Sequence, residues 1–138
     1  MSARLLADLL LILHVAVVLF IVGGLVAIAL GGALGWGWVR RFTWRVLHVA
    51  AMGFVAVGAV VGWICPLTVW EDALRRRAGE AEYGMGFVQY WLERLLYHDW
   101  PDWVFTVLYL TVFGGILLVW WLVPPRRSQV RGVHPTAL

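Results

Sequence analysis

The sequence predicts an all-α integral membrane protein, with three transmembrane helices and two amphipathic interfacial helices packed like a four-helix bundle. Three observations carry this. Of 138 residues, 62% are hydrophobic and only 14% charged, unlike the usage of soluble globular chains. Three apolar runs are each long enough to cross a bilayer at ~1.5 Å per residue. Tryptophans flank those runs, and all eleven basic residues are arginine, which suits interface anchoring and headgroup contact. The formal charge of +3 leaves no basic face for nucleic acid, because the arginines sit beside apolar segments. A single cysteine excludes an internal disulfide and any CxxC motif.

The first span is read from Leu5 to Leu34. Its apolar run is too long for a signal-peptide core and contains Asp8 and His14, so cleavage is not expected. Gly23, Ala27, Gly31 and Gly35 recur every fourth residue and predict a groove for close helix approach. Trp36 to Arg45 is a short arginine-bearing turn, which makes the first two spans antiparallel neighbours. The second span runs from Val46 to Ile64, bounded by Trp44 and Trp63, with Gly58 and Gly62 forming its own GxxxG face.

Pro66 should end that helix at Cys65. Thr68 and Glu71 then read as a capping box opening a surface helix. In it Glu71 and Asp72 each precede an arginine, Arg75 and Arg76, by four residues. Gly79, Gly84 and Gly86 mark a turn region. From Phe87 to Tyr97 the apolar residues fall at helical spacing, but the segment is too short to span, so it should lie across the mouth of the bundle. Pro101 and Asp102 suit the first turn of the third span, Trp103 to Val123, which Pro124 and Pro125 stop. Residues 1–125 form one helical membrane domain. Residues 126–138 are expected to be a disordered basic tail.

The first loop and the tail hold six arginines and no acid, against five arginines and the acids on the other side. That balance predicts the N-terminus outside and the C-terminus in the cytoplasm.

An ionisable group inside a span is costly and raises a functional hypothesis. His14 is the strongest case, as a haem or metal ligand or a proton-relay group. Its plainer reading is a neutral imidazole bonded to a neighbouring helix. His48 opens the second span. Counting from span midpoints puts it ~18 Å from His14 along the normal, too far for both to ligate one iron. A two-haem arrangement would need two more histidines, and His98 and His134 lie outside the spans. Cys65 could join His14 or His98 around a metal; its plainer reading is a small residue at a helix end. Asp8 reads as a carboxylate at a helix start. Glu71 and Arg75 read as an ion-paired surface helix, or as a small headgroup site. No nucleophile with its base and no phosphate-cradling glycine loop is present.

Several of these residues form a recognisable set: Leu13-His14, Phe20, Gly23-Gly24, Leu47-His48, the block Cys65-Pro66-Leu67-Thr68 through Glu71, Leu74-Arg75 and Ala78-Gly79-Glu80. With Tyr83, Phe87, Tyr90 and Leu95-Leu96-Tyr97, they resemble a family of small bacterial membrane proteins labelled domain of unknown function 2784. The resemblance extends to about Gly115 and implies a compact multi-helix protein of the bacterial inner membrane. It implies no activity. It singles out His14, His48, Cys65, Thr68, Glu71 and Arg75 for testing.

The expected role is a non-enzymatic membrane component without a cofactor, an accessory or scaffold that binds lipid, a partner membrane protein or a second copy of itself. The grooves, with Pro66, Thr68, Glu71 and Arg75, would then serve structure or contact. The alternative is a redox protein in which His14, with Cys65 or His98, holds haem or a metal ion. A small oligomeric transporter is a third possibility.

Overall fold

The computed structural model describes residues 1–96 and 98–127. They form five α-helices and one 3-10 turn, with no strand among the described residues. Helix α1 spans Ala3–Leu34, α2 Phe42–Val61, α3 Pro66–Arg77, α4 Phe87–Leu96 and α5 Asp102–Leu122. Helices α1, α2 and α5 are long and apolar enough to cross a membrane. The expected tail residues 128–138, including Arg131 and His134, and also Tyr97, lie outside the described residues.

Helix α1 starts at Ser2, whose hydroxyl accepts from the Leu5 amide at 3.3 Å. Asp8 therefore does not cap it. The helix ends at Gly35, which adopts a left-handed φ of 78° that other residues reach only with strain. Chain folding back from that turn buries Val39 completely against Gly31. His48 of α2 meets α1 at Ile21 and Gly24, so α2 lies further toward the start of α1 than midpoint matching predicts.

Helix α2 ends in the same way, at Gly62 with φ 80°. Gly58 meets only the Trp63 residue that follows the turn. The Gly58–Gly62 pair is thus a helix terminus within this chain, not a packing face. The expected stripe on α1 is also displaced. A Cβ at Gly23 or Gly35 would meet nothing within 4 Å. The close approaches fall at Gly24 against His48, Gly31 against Val39 and Trp36, and Gly32 against Val123. Ala27 is half-buried beside this face.

Ile21, Met52 and Ile116 form the centre where α1, α2 and α5 meet, surrounded by Val17, Phe20, Val55 and Phe113. Outward-facing residues on these helices are apolar as well: Leu19 and Leu30, Val57 and Val60, Leu118 and Trp121 are all exposed. Helix α3 packs along the first half of α1. Its N-cap is Cys65 with Pro66 in the first turn, and no side chain caps it. The capping box does not form, because Pro66 places Thr68 inside the first turn and Glu71 turns toward Arg75.

Candidate functional site: a capped cavity and a buried ion cluster

Helix α3 carries a polar face inward. Thr68 and Glu71 are fully buried, and Asp72 nearly so. Burying a carboxylate requires charged and hydrogen-bonding partners, and this chain supplies them locally. The Glu71 Oε1 atom accepts from Arg75 Nε at 3.0 Å and Nη2 at 2.8 Å, and from the Tyr83 hydroxyl at 2.7 Å. Arg75 Nη1 also reaches Glu80 Oε2 at 3.0 Å, and Nη2 lies 3.8 Å from Asp8 on α1. Arg4 closes the set on Glu80 at 3.0 Å. Burial pushes the Tyr83 hydroxyl above its ordinary pKa, and its bond to Glu71 adds to that. Burial opposes the charge on Arg75, yet its hydrogen bonds and charge interactions with Glu71 and Tyr83 together outweigh this and raise its pKa.

The predicted Glu71–Arg75 pair is present. The Asp72–Arg76 pair is not. Asp72 instead accepts from the backbone amides of Tyr83 at 2.9 Å and Gly84 at 3.4 Å, and Arg76 pairs with Glu82 at 3.2 Å. A folded-back loop offers amide donors in fixed positions, and these satisfy a nearly buried carboxylate better than a solvated guanidinium. Two side chains of α3 thereby pin the loop that leads to α4.

The loop delivers Phe87, the buried residue of α4, onto His14. The two rings stack with centroids 4.0 Å apart and planes 16° apart. His14 is 6% exposed, and its Nδ1 has no partner. Glu71 Oε2 and Thr68 Oγ1 are likewise buried without partners. Below the stacked pair lies a cavity of about 810 Å³ between α1, α2 and α5. Its walls are apolar, including Val17, Met52, Val55, Phe105 and Val112, and its lining includes His14, Cys65, Gln89, Asp102 and Tyr109. Gln89 donates to Asp102 at 3.0 Å and to Glu93 at 3.1 Å, which ties α4 to the start of α5.

His48 is separate from this site. Its Nε2 lies 2.7 Å from the Ile21 carbonyl oxygen, and its ring packs edge-on against Phe20. Ile21 follows His14 by two helical turns, roughly 10 Å. That is closer than the midpoint estimate, but the two histidines still serve different places. His98 packs edge-on against Trp100 and does not line the cavity. Of the residues offered for a metal, His14 and Cys65 both line the cavity and His98 does not; no group of three His, Cys, Asp or Glu placed to hold a metal ion occurs among the described residues.

Arg45, expected in the turn, is 2% exposed inside α2, donating to the Val123 carbonyl at 2.6 Å and the Val119 carbonyl at 3.1 Å. It gives the Val123 carbonyl a donor at the end of α5, and it shares the Val119 carbonyl with the Val123 amide, which donates to it at 2.9 Å. Its guanidinium also lies 5.3 Å from the Trp120 ring centre. The sequence signal for this role is an arginine one turn inside an apolar run.

Residues 4–125 match the model of the family described as Protein of Unknown function (DUF2784). No curated protein and no solved structure matches the chain. The match spans all five helices, and the chain belongs to that family.

Proposed function

We propose that this DUF2784 member is a non-enzymatic, multi-pass membrane component that holds the apolar chain of a lipid between α1, α2 and α5. One observation supports it above the others. A half-open apolar cavity of about 810 Å³ is lined by the Phe87 ring of α4, which covers the His14 imidazole, and the Nδ1 of that imidazole has no partner. Lipid and cofactor sites are concave and mostly apolar, with a few polar groups that fix orientation. The loop anchored by Glu71 and Asp72 supplies the cover and sets where Phe87 sits.

The exposed apolar faces of the three long helices suit hydrocarbon better than water. The bacterial inner membrane is the proposed location, with the N-terminus outside. The orientation rests on six arginines at the turn-and-tail end against five at the other.

The test is native mass spectrometry with lipid analysis on protein extracted from its own membrane. A retained lipid that is lost on Phe87→Ala or His14→Ala supports the proposal. A protein that carries no lipid but co-purifies with one membrane partner through the same face would make it a scaffold instead. An absorption spectrum and metal analysis of the same sample test the alternative cofactor. A Soret band or stoichiometric metal removed by His14→Ala would replace the lipid reading with a haem or metal protein.

A further inference from the structure

At the opposite end of the bundle, two distant segments bring four arginines together. Arg40 and Arg41 precede α2; Arg126 and Arg127 follow α5. A backbone bridge joins Arg41 to Arg126, and the Arg126 amide donates to the Arg40 carbonyl at 2.7 Å. All four side chains border one concave site of about 750 Å³, whose remaining lining includes Phe42, Thr43, Trp44 and Leu47.

Gathering four cations is unfavourable unless something neutralises them. The acidic side chains of the chain do not. There is no Asp or Glu between positions 9 and 70, and none after 102. Every ion pair among the described residues lies at the other end. Among the described residues, the one specific contact of these guanidinium groups is Arg127 over the Phe42 ring, at 5.0 Å. Trp36 and Trp38 on the connecting turn are exposed, as aromatic residues at a headgroup layer are.

We propose that this concave site binds a lipid headgroup bearing two phosphates, with the Arg40–Arg41 and Arg126–Arg127 pairs each engaging one of them. Guanidinium groups match phosphate oxygens with paired hydrogen bonds, and basic pockets between helices at a membrane face recognise multiply charged headgroups. Two arginine pairs held on separate segments fit two phosphates better than one. A lipid source is favoured because the site adjoins the apolar ends of α2 and α5. The site is distinct from the cavity under α4 and stands whether or not that cavity holds a lipid.

The experiment uses the full chain in phosphatidylcholine nanodiscs doped with diphosphatidylglycerol, or with phosphatidylglycerol at equal total charge. Native mass spectrometry then reads which lipid stays bound. The two-phosphate lipid should be retained preferentially. Arg40→Gln with Arg126→Gln should weaken that retention about 20- to 30-fold, while Arg76→Gln with Arg77→Gln at the other end should leave it unchanged. Equal retention of both lipids, or retention indifferent to the Arg40 and Arg126 changes, overturns the proposal. So does binding of inorganic diphosphate to the detergent-solubilised protein as tight as that of the lipid, which would make a soluble phosphate the ligand. Should the double variant fail to fold, Arg127→Gln removes one exposed guanidinium and leaves the backbone bridge. It should lower retention about fivefold, and no change there also overturns the assignment.

Discussion

At the end of the bundle built by α3, a carboxylate is fully buried and the chain surrounds it with its own donors; at the other end, four arginines border one concave site and pair with no carboxylate among the described residues. The first arrangement is closed. Glu71, Arg75, Glu80, Asp8 and Arg4 are paired with one another, so most of their cost and benefit is internal to folding. The second is open and needs counter-charge from outside. Buried ion clusters therefore predict stability effects here, and exposed like-charged clusters predict binding effects. Arg45 stands between the two cases. It lies at the arginine-rich end but is buried, and it is satisfied by carbonyl oxygens of α5.

The comparison breaks most directly at Glu71. Glu71→Ala leaves the Arg75 guanidinium, whose side chain is only 14% exposed, without its nearest counter-charge. The expected loss is about 3–5 kcal/mol of stability, as for removing one partner of a buried pair. Arg45→Ala should cost about 3 kcal/mol, because two charge-assisted bonds to the end of α5 are lost. Arg45→Lys should recover only part of this, since an ammonium lacks the planar fork that reaches both carbonyls. Thermal unfolding in detergent checks all three. Similar small losses at both positions would mean that solvent, not the protein, satisfies these groups.

These two residues also show how far the sequence can be read. The long helices are legible because apolar runs of such length are far longer than any strand and suit a bilayer-crossing helix, and Pro66 fixes where α3 begins. The Glu71–Arg75 pair is legible because helical spacing alone determines it. What escapes is every feature decided by chain folding back from elsewhere. Asp72 loses Arg76 to the amides of Tyr83 and Gly84. Arg45 reads as an interface arginine, because nothing local reveals that the end of α5 arrives beside it. His14 stands out as an ionisable group in an apolar run, but its stacking partner Phe87 is more than seventy residues away and is placed by the loop before α4.

A smaller effect, with a pH signature, is expected at Tyr83. Tyr83→Phe removes one bond to Glu71 and should cost about 1 kcal/mol at neutral pH. The folded-state pKa of Tyr83 lies above the ordinary 10.0, because the neutral hydroxyl is buried and donates to a carboxylate. Its contribution is therefore complete below pH 10 and is lost as pH rises through the folded value. The wild-type protein should lose stability on entering that range, and Tyr83→Phe should flatten the fall. The same substitution should speed hydrogen exchange in the loop of residues 78–86. A parallel alkaline decline in both proteins would show that the cluster is not what titrates.

The smallest contrast separates two neighbouring glycines. At Gly24 an added Cβ would lie 2.8 Å from the His48 ring, which the Ile21 carbonyl holds in place, so the ring cannot simply swing aside. Gly24→Ala should therefore cost about 1–3 kcal/mol. At Gly23 the added methyl meets nothing within the chain, and Gly23→Ala should stay within about 0.5 kcal/mol for the isolated protein. Repeating the pair in native membranes sharpens the point, with resistance to thermal inactivation as the readout. If Gly23→Ala becomes as costly there as Gly24→Ala, another helix covers the Gly23 and Ala27 face, and the small-residue stripe serves association between chains. If Gly23→Ala remains neutral, that face meets lipid alone, and packing by small residues in this protein is confined to Gly24, Gly31 and Gly32.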